Sequence, residues 1–267
     1  MKKYLARFRL RFIAGLQYRA AALAGIATQY AWGFMEILAF AAFYRASPGA
    51  FPMTFSETVS YIWMQQAFLA LFMMWFFDNS IFAAISSGDI AYELARPADL
   101  YNRWFCQSAA GRLSRALLRC GPILLVALLL PEPYRLALPA SPGRLGLFLL
   151  SSALSLGVVA AFTMLVYISA FYTISPQGTR IIAAIFSDFF AGGTVPLPFF
   201  PPPVRALAEL LPFAAMQNMP LRIYSGNIAG EAAFRGIGFQ VFWLLTLWGA
   251  GRLFMRGALK KVVVQGG

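Results

Sequence analysis

Three carboxylates sit within or against apolar runs of this chain: Glu36, Asp78 and Asp188. Ionisable groups at membrane depth are costly, which makes them functional candidates by default. Glu36 and Asp188 could relay protons, but no matched basic residue stands at similar depth. The more ordinary role is to face a bundle interior and hydrogen-bond to neighbouring helices. The three are scattered in depth, and no pair has a spacing that argues for acid/base chemistry. The chain has no histidine, which excludes His-based triads, H-E-x-x-H metal sites and an imidazole proton shuttle. Its two cysteines, Cys106 and Cys120, are too few for structural zinc. On one shared helix they would stand about 21 Å apart, beyond disulfide reach, and they read as small apolar fillers. No lysine lies between Lys3 and Lys260, so a phosphate-cradling P-loop is excluded within the chain. Nucleotide energy, if used, comes from another polypeptide.

The chain that must position these groups has 267 residues and is 60% apolar, 16% aromatic and only 12% charged. Soluble domains carry roughly 25% charge, so this is the composition of an integral membrane protein. A net charge of +12 would suggest nucleic acid in a soluble protein. Here no basic stripe is interleaved with exposed aromatics, and no nucleic-acid partner is expected. The cations follow membrane topology instead. The head, "MKKYLARFRLRFIAGLQYRAA", alternates charge with bulky apolar residues, unlike a cleaved signal peptide.

A span needs about 20 mainly apolar residues. Six are expected, at about 19–44, 58–85, 113–130, 145–172, an irregular fifth from about 181, and 236–255. With the N-terminus inside, the cytoplasmic segments hold Lys2, Lys3, Arg7, Arg9, Arg11, Arg19, Arg96, Arg103, Arg112, Arg115, Arg119, Arg180, Arg252, Arg256, Lys260 and Lys261. The outer ones keep Arg45, Arg135, Arg144, Arg205, Arg222 and Arg235. This bias predicts that both termini are cytoplasmic. No fixed-period repeat and no inserted soluble domain is visible, so residues 1–267 read as one transmembrane domain.

Three segments stand out. Residues 1–18 read as an amphipathic interfacial helix, with Tyr4, Leu5, Phe8, Phe12 and Leu16 as an apolar stripe. Lys3, Arg7 and Arg11 flank one side of it and Lys2 and Arg9 the other, reaching for lipid phosphates. A plain positive anchor for the first span is the simpler alternative. The cytoplasmic loop at 86–112 mixes acids with Ile90, Tyr92 and Leu94, and Pro97 can open a new helix at its first position. Such a loop suits docking to a partner, a solvated linker being the alternative. Ile90 and Leu94, four apart, are expected to share a docking face, with Asp89 and Glu93 pairing to a basic rim on the partner. Gly88 suits a tight turn, the alternative being that it merely ends the second span.

The third segment, "GGTVPLPFFPPPVRALAELLPFAAMQNMPLRIYSG", is apolar yet holds the densest proline cluster. The helix from 181 to 195 is about 22 Å long, short of a 30 Å core, and prolines then forbid its continuation. Residues 189–213 are expected to enter from outside and turn back, protected by protein or a water-filled path. A simple outer surface loop is the alternative. A short helix restarts at "VRALAELLPF", with Arg205 and Glu209 on one face and Leu207, Leu210 and Leu211 packing inward.

This order of parts resembles the permease subunits of ABC-2 type transporters, the bacterial group of drug, antibiotic or peptide exporters in particular. The resemblance covers essentially the whole chain. It rests on Gly88, Glu93, Leu94, Arg96 and Pro97 of "SGDIAYELARPADLYNRWF", where Asp89 follows the glycine in departure from the usual pattern. It rests more specifically on Gly192, Pro196, Leu197, Phe200, Pro201, Leu211, Pro212, Phe213, Pro220 and Gly226. The resemblance implies an all-α protein of six spans with an interfacial head helix and a re-entrant outer hairpin. It implies a dimer, of identical or sister permeases, carrying two ATPase subunits that hold ATP and Mg. Arg7, Phe8 and Arg11 of the head, with 88–97, would form the ATPase-coupling surface. The outer segment would cap the path, and amphipathic drugs, peptides, lipids or glycolipids would leave the bacterial inner membrane through the dimer seam. Rival readings are an ion-gradient-driven secondary transporter, a membrane-embedded enzyme and a scaffold. The secondary transporter calls for paired broken helices, and only one interruption is visible in the sequence.

Overall fold

Apolar runs without strand alternation fold as helix throughout the computed structural model, which describes residues 2–17, 19–47, 49–173 and 175–260. The head forms α1 (Lys2–Leu16), followed by α2 (Arg19–Ala46). A capping box opens α3 (Phe55–Phe72): the Glu57 N–H donates to Thr54 Oγ1 at 3.2 Å, and the Thr54 N–H to Glu57 Oε2 at 2.7 Å. Asp78 caps α4 (Asn79–Ser87). Gly88, at φ +82°, closes that helix in the left-handed region that favours glycine. A single turn, α5 (Ile90–Leu94), leads to Asp99, the N-cap of α6 (Leu100–Leu129). After α7 (Pro142–Ser169) and α8 (Gln177–Ala191) the chain breaks into a 3-10 turn (Leu197–Phe199), α9 (Pro202–Leu210) and α10 (Asn218–Ser225). The last helix is α11 (Glu231–Leu259), and the described residues include no strand.

Among the described residues, three helices are long and apolar enough to cross a membrane: Ala22–Ala46, Pro142–Ser169 and Glu231–Leu259. The expected second span is not one helix. It breaks after Phe72 and restarts at Asn79, because buried Arg112 of α6 takes over the freed carbonyls. Its guanidinium donates to Met73 O, to Phe76 O at 3.1 Å and to Thr163 Oγ1 at 3.1 Å. The expected third span is the C-terminal part of the longer α6, which carries Arg103 and Arg112 before that span and Arg115 and Arg119 within it. Cys106 and Cys120 both lie on α6 and are free.

The core is organised around two helices. α7 packs against α11, α10, α6 and α3, and α6 against α1, α3 and α2. Small residues set the closest approaches. A Cβ on Gly15 of α1 would collide with Ser114 of α6, and one on Gly251 of α11 would lie 2.7 Å from the Tyr101 hydroxyl of α6. The bundle has two distinct ends. At one, Lys3 donates to the Pro97 carbonyl, the Asp99 N–H to the Tyr4 hydroxyl at 3.1 Å, and Arg252 lies 3.8 Å from Asp99. Arg180 joins that end, its guanidinium 4.9 Å from the Phe82 ring centre. At the other, Arg45 donates to the Tyr134 hydroxyl, Tyr224 to the Ala137 carbonyl and Asn227 to the Pro52 carbonyl. The cationic tail residue Lys261 lies outside the described residues.

Candidate functional site

At the basic end, α1 lies on α6. Its inward face presents Tyr4, Arg7, Phe8, Arg11 and Phe12, while Leu5, Leu10 and Ile13 are exposed. Leu5 therefore leaves the expected apolar stripe. Arg7 also turns inward, donating from Nη2 to Gln107 Oε1 at 2.8 Å. Burial, with the neighbouring charge of Arg11, lowers the Arg7 pKa from the usual guanidinium value. Phe8 stacks along Phe12 with ring centres 6.2 Å apart. Arg11 lines a cleft of about 440 Å³ together with Asp78, Gln107, Arg115 and Arg119.

The loop after α4 differs from expectation in three places. Ile90 does not share an outward face with Leu94: it is 3% exposed, packed in the core with Leu100 and Trp104, whereas Leu94 is 40% and Tyr92 74% exposed. One helical turn cannot present both ends of an i, i+4 pair outward when its first residue anchors it. Glu93 is not free for a partner's basic rim, because it pairs with Arg103 at 2.5 Å and with Arg96 at 3.6 Å. Burial lowers the Arg103 pKa, and Glu93 works against that shift. Pro97 does not open a helix, since Asp99 supplies the cap by accepting from the Asn102 N–H at 2.9 Å. Asp89 is exposed and accepts from the Ser87 hydroxyl at 2.7 Å.

At the outer segment, α8 ends in a Schellman pattern. The Gly193 N–H reaches the Asp188 carbonyl at 2.8 Å and the Gly192 N–H reaches Phe189 at 3.2 Å, with Gly192 at φ +78°. Pro196 precedes the 3-10 turn, and Pro201 precedes α9, which opens on Pro202 and Pro203. Prolines thus break the chain at 196–201 and then start the next helix, where their missing N–H costs nothing. Arg205 and Glu209 pair at 3.1 Å as their spacing predicts, and Arg222 joins Glu209 at 2.9 Å. Leu207 and Leu210 are exposed rather than inward, and Ala208 is the buried residue of α9. Phe200 lines a cavity of about 910 Å³ with Phe40, Phe51, Phe199 and Arg205. Leu211 ends α9, Pro212 and Pro220 are buried, and Phe213 packs edge-on to Phe162 at 5.2 Å.

Buried polar side chains, which sequence reasoning passed over, satisfy this broken backbone. Gln65 of α3 donates to the Gly193 carbonyl at 2.5 Å and Gln217 to that of Gly192 at 3.0 Å. Gln240 of α11 donates to the Ala215 carbonyl at 2.9 Å and to Ser155 Oγ at 2.9 Å, while Ser155 donates to Ala215 at 3.1 Å. Unsatisfied carbonyls at such depth would cost several kcal/mol each by the general rule for lipid. Glutamines inside apolar runs were the available signal.

The three acids separate into two kinds. Asp78 is a structural cap: it accepts from Ser80 N–H at 3.0 Å, Ser80 Oγ at 2.6 Å and Gln107 Nε2 at 2.6 Å. Glu36 and Asp188, expected to be scattered, instead line one cavity of about 720 Å³. Residues 152 apart in the chain share it because the end of α8 and the turn after it reach α3, where Gln65 holds the Gly193 carbonyl.

A helical bundle with apolar helices of membrane length, its broken backbone satisfied by buried polar side chains, is the architecture of an integral membrane protein. Residues 30–266 match the family described as ABC-2 family transporter protein, and the chain belongs to that family. The match begins inside α2, so α1 lies outside it. No curated protein matches the chain, and no solved structure matches it. Membership makes the chain a membrane subunit of an ABC transporter system.

Proposed function

We propose that the chain is the permease subunit of an ATP-driven exporter that moves amphipathic molecules out across the bacterial inner membrane. Its termini face the cytoplasm, its spans number six, and it works as a dimer of identical or sister chains on two ATPase subunits. The observation that carries this reading is the meeting of α1, α5, the start of α6 and the end of α11 at one basic end of the bundle. That surface is charged on the side where the positive-inside rule puts the cytoplasm, and it leaves Tyr92 and Leu94 uncovered. An exposed aromatic and an exposed leucine on a braced single turn suit insertion into a partner's groove. Gly88, Asp89, Arg96 and Pro97 shape the approach to that turn, and Arg7, Phe8 and Arg11 support it from α1. ATP and Mg are held by the partner, whose closure shifts the permease between inward- and outward-open arrangements. Residues 189–213 form the outer gate as a re-entrant hairpin, supported by the polar anchors on the Gly192, Gly193 and Ala215 carbonyls.

One observation favours a gradient-driven transporter: a second helix break, at 73–78, accompanies the outer one. Transport assays in inverted vesicles distinguish the two. Accumulation of a fluorescent amphipathic dye that needs ATP and survives ionophores supports the exporter. Accumulation that needs an ion gradient and ignores ATP rejects it.

A further inference from the structure

The cavity shared by Glu36 and Asp188 opens beside exposed Trp32, Met35 and Trp75, so molecules in the bilayer can reach it. Its polar groups are mainly acceptors. Gln29 donates Nε2 to the Gln66 carbonyl at 2.9 Å, and Gln65 donates Nε2 to the Gly193 carbonyl at 2.5 Å. A backbone carbonyl can only accept, so each amide is fixed with its NH₂ group on the protein and its oxygen left over. Both glutamines are buried, 3% and 2% exposed, and neither Oε1 has a partner. Glu36 Oε1 is also buried and unpartnered, although Gln66 reaches the carboxylate. Among the described residues, neither Glu36 nor Asp188 has an ion-pair partner, and Asp188 accepts only the Thr194 hydroxyl at 3.2 Å from a side chain. Arg119 borders the cavity too: its guanidinium lies against Gly25 and 5.9 Å from the Phe76 ring centre, with Nε buried and unpartnered, and among the described residues it pairs with neither acid.

A buried acceptor without a donor costs about 1–3 kcal/mol, and two acids beside two such oxygens leave a deficit of donors and of positive charge. A transition metal would meet that deficit poorly: no group of three His, Cys, Asp or Glu side chains among the described residues could hold one. The volume, about 720 Å³, lies in the range of small-molecule sites, which pair apolar walls with a few fixed polar groups. We propose that this cavity binds the protonated primary amine of an amphipathic molecule, its N–H groups on Gln29, Gln65 and Glu36 and its chain along Trp32 and Trp75. As a cargo site it rests on the permease reading; as a binding site it stands alone. The same ammonium chemistry is carried by a free alkylamine and by an ethanolamine lipid headgroup.

The test uses the full chain in phosphatidylcholine nanodiscs and a photoactivatable alkyl diazirine ending in a primary amine, with the matching alcohol as control. Labelled peptides are mapped by mass spectrometry. The amine probe is expected to label 29–39 and 65–75 saturably, with dodecylamine competing, and the alcohol at least tenfold less. Glu36→Gln, which keeps shape and acceptors but removes the charge, should weaken dodecylamine competition about tenfold. Asp188→Asn should weaken it in the same direction while the protein stays monodisperse. Equal labelling by amine and alcohol, or competition unchanged in both variants, overturns the proposal. Adding phosphatidylethanolamine to the nanodiscs separates the sources: lost labelling assigns the site to the headgroup, and unchanged labelling to the free amine. No nucleotide or ATPase enters the assay, so its failure leaves the permease reading standing, and the converse holds.

Discussion

The Gln65 side chain donates to the Gly193 carbonyl at 2.5 Å, tying the middle of α3 to the first residues beyond α8. With Gln217 on the neighbouring Gly192 carbonyl, it gives the end of α8 two donors that the helix itself cannot supply. The proline-rich stretch is therefore held by glutamines contributed from before and after it.

Replacing either donor should expose that dependence. Gln65→Leu leaves the buried Gly193 carbonyl unpaired, at a cost of about 1–3 kcal/mol, and Gln217→Leu leaves the Gly192 carbonyl with only the Tyr61 hydroxyl at 3.5 Å. Thermal unfolding in detergent should show both variants less stable than wild type, with Gln65→Met no better than Leu. Unchanged melting would mean that these carbonyls find other donors.

Arg112 performs the same service at the inner break, with three acceptors on one planar group. Arg112→Met should destabilise the protein by about 1.5–3 kcal/mol, the range for hydrogen bonds to charged groups, if one such bond dominates. Arg112→Lys should rescue little, because an ammonium lacks the fork that spans separate acceptors. Full rescue by lysine would show that charge alone matters.

The seating of α1 on α6 depends on Gly15, where a Cβ would collide with Ser114. Gly15→Val should free α1, seen as faster proteolysis at Arg7, Arg9 and Arg11 with the rest of the bundle intact. The pair Gly15→Ala with Ser114→Gly should restore protection. Equal protection in Gly15→Val would place the seating elsewhere, on the Arg7–Gln107 contact for example.

Positions 90 and 94 should respond differently to the same change. Ile90→Asp buries a charge in the core and should lower stability and yield. Leu94→Asp and Tyr92→Asp should leave yield and melting unchanged while reducing capture of the ATPase at least tenfold. Loss of folding in Leu94→Asp, or loss of capture in neither surface variant, would contradict the docking assignment.

Much of the architecture was readable from composition and pattern. Apolar runs gave the helices, lysine and arginine placement separated two ends, and prolines with Gly192 marked the outer break. The Arg205–Glu209 pair followed from spacing alone. The inner break was hidden because 73–78 is as apolar and aromatic as its flanks, and what permits it is Arg112, more than thirty residues later. Ile90 misled because a one-turn helix has no amphipathic period from which to read a face. Leu207 and Leu210 misled because apolar side chains in a membrane protein have lipid or a second subunit as an alternative to the core. The joint cavity of Glu36 and Asp188 could not be read at all, since only the tertiary meeting of the end of α8 with α3 brings them together.

The central claim is that this family member works as a permease on a separate ATPase. Affinity purification of the full chain from its native membranes, followed by native mass spectrometry and an ATP hydrolysis assay, tests it most directly. The account predicts a complex of two permease chains with two ATPase subunits that hydrolyses ATP, and its loss in Leu94→Asp. A chain that purifies without any ATPase, in membranes where it is active in transport, would contradict it.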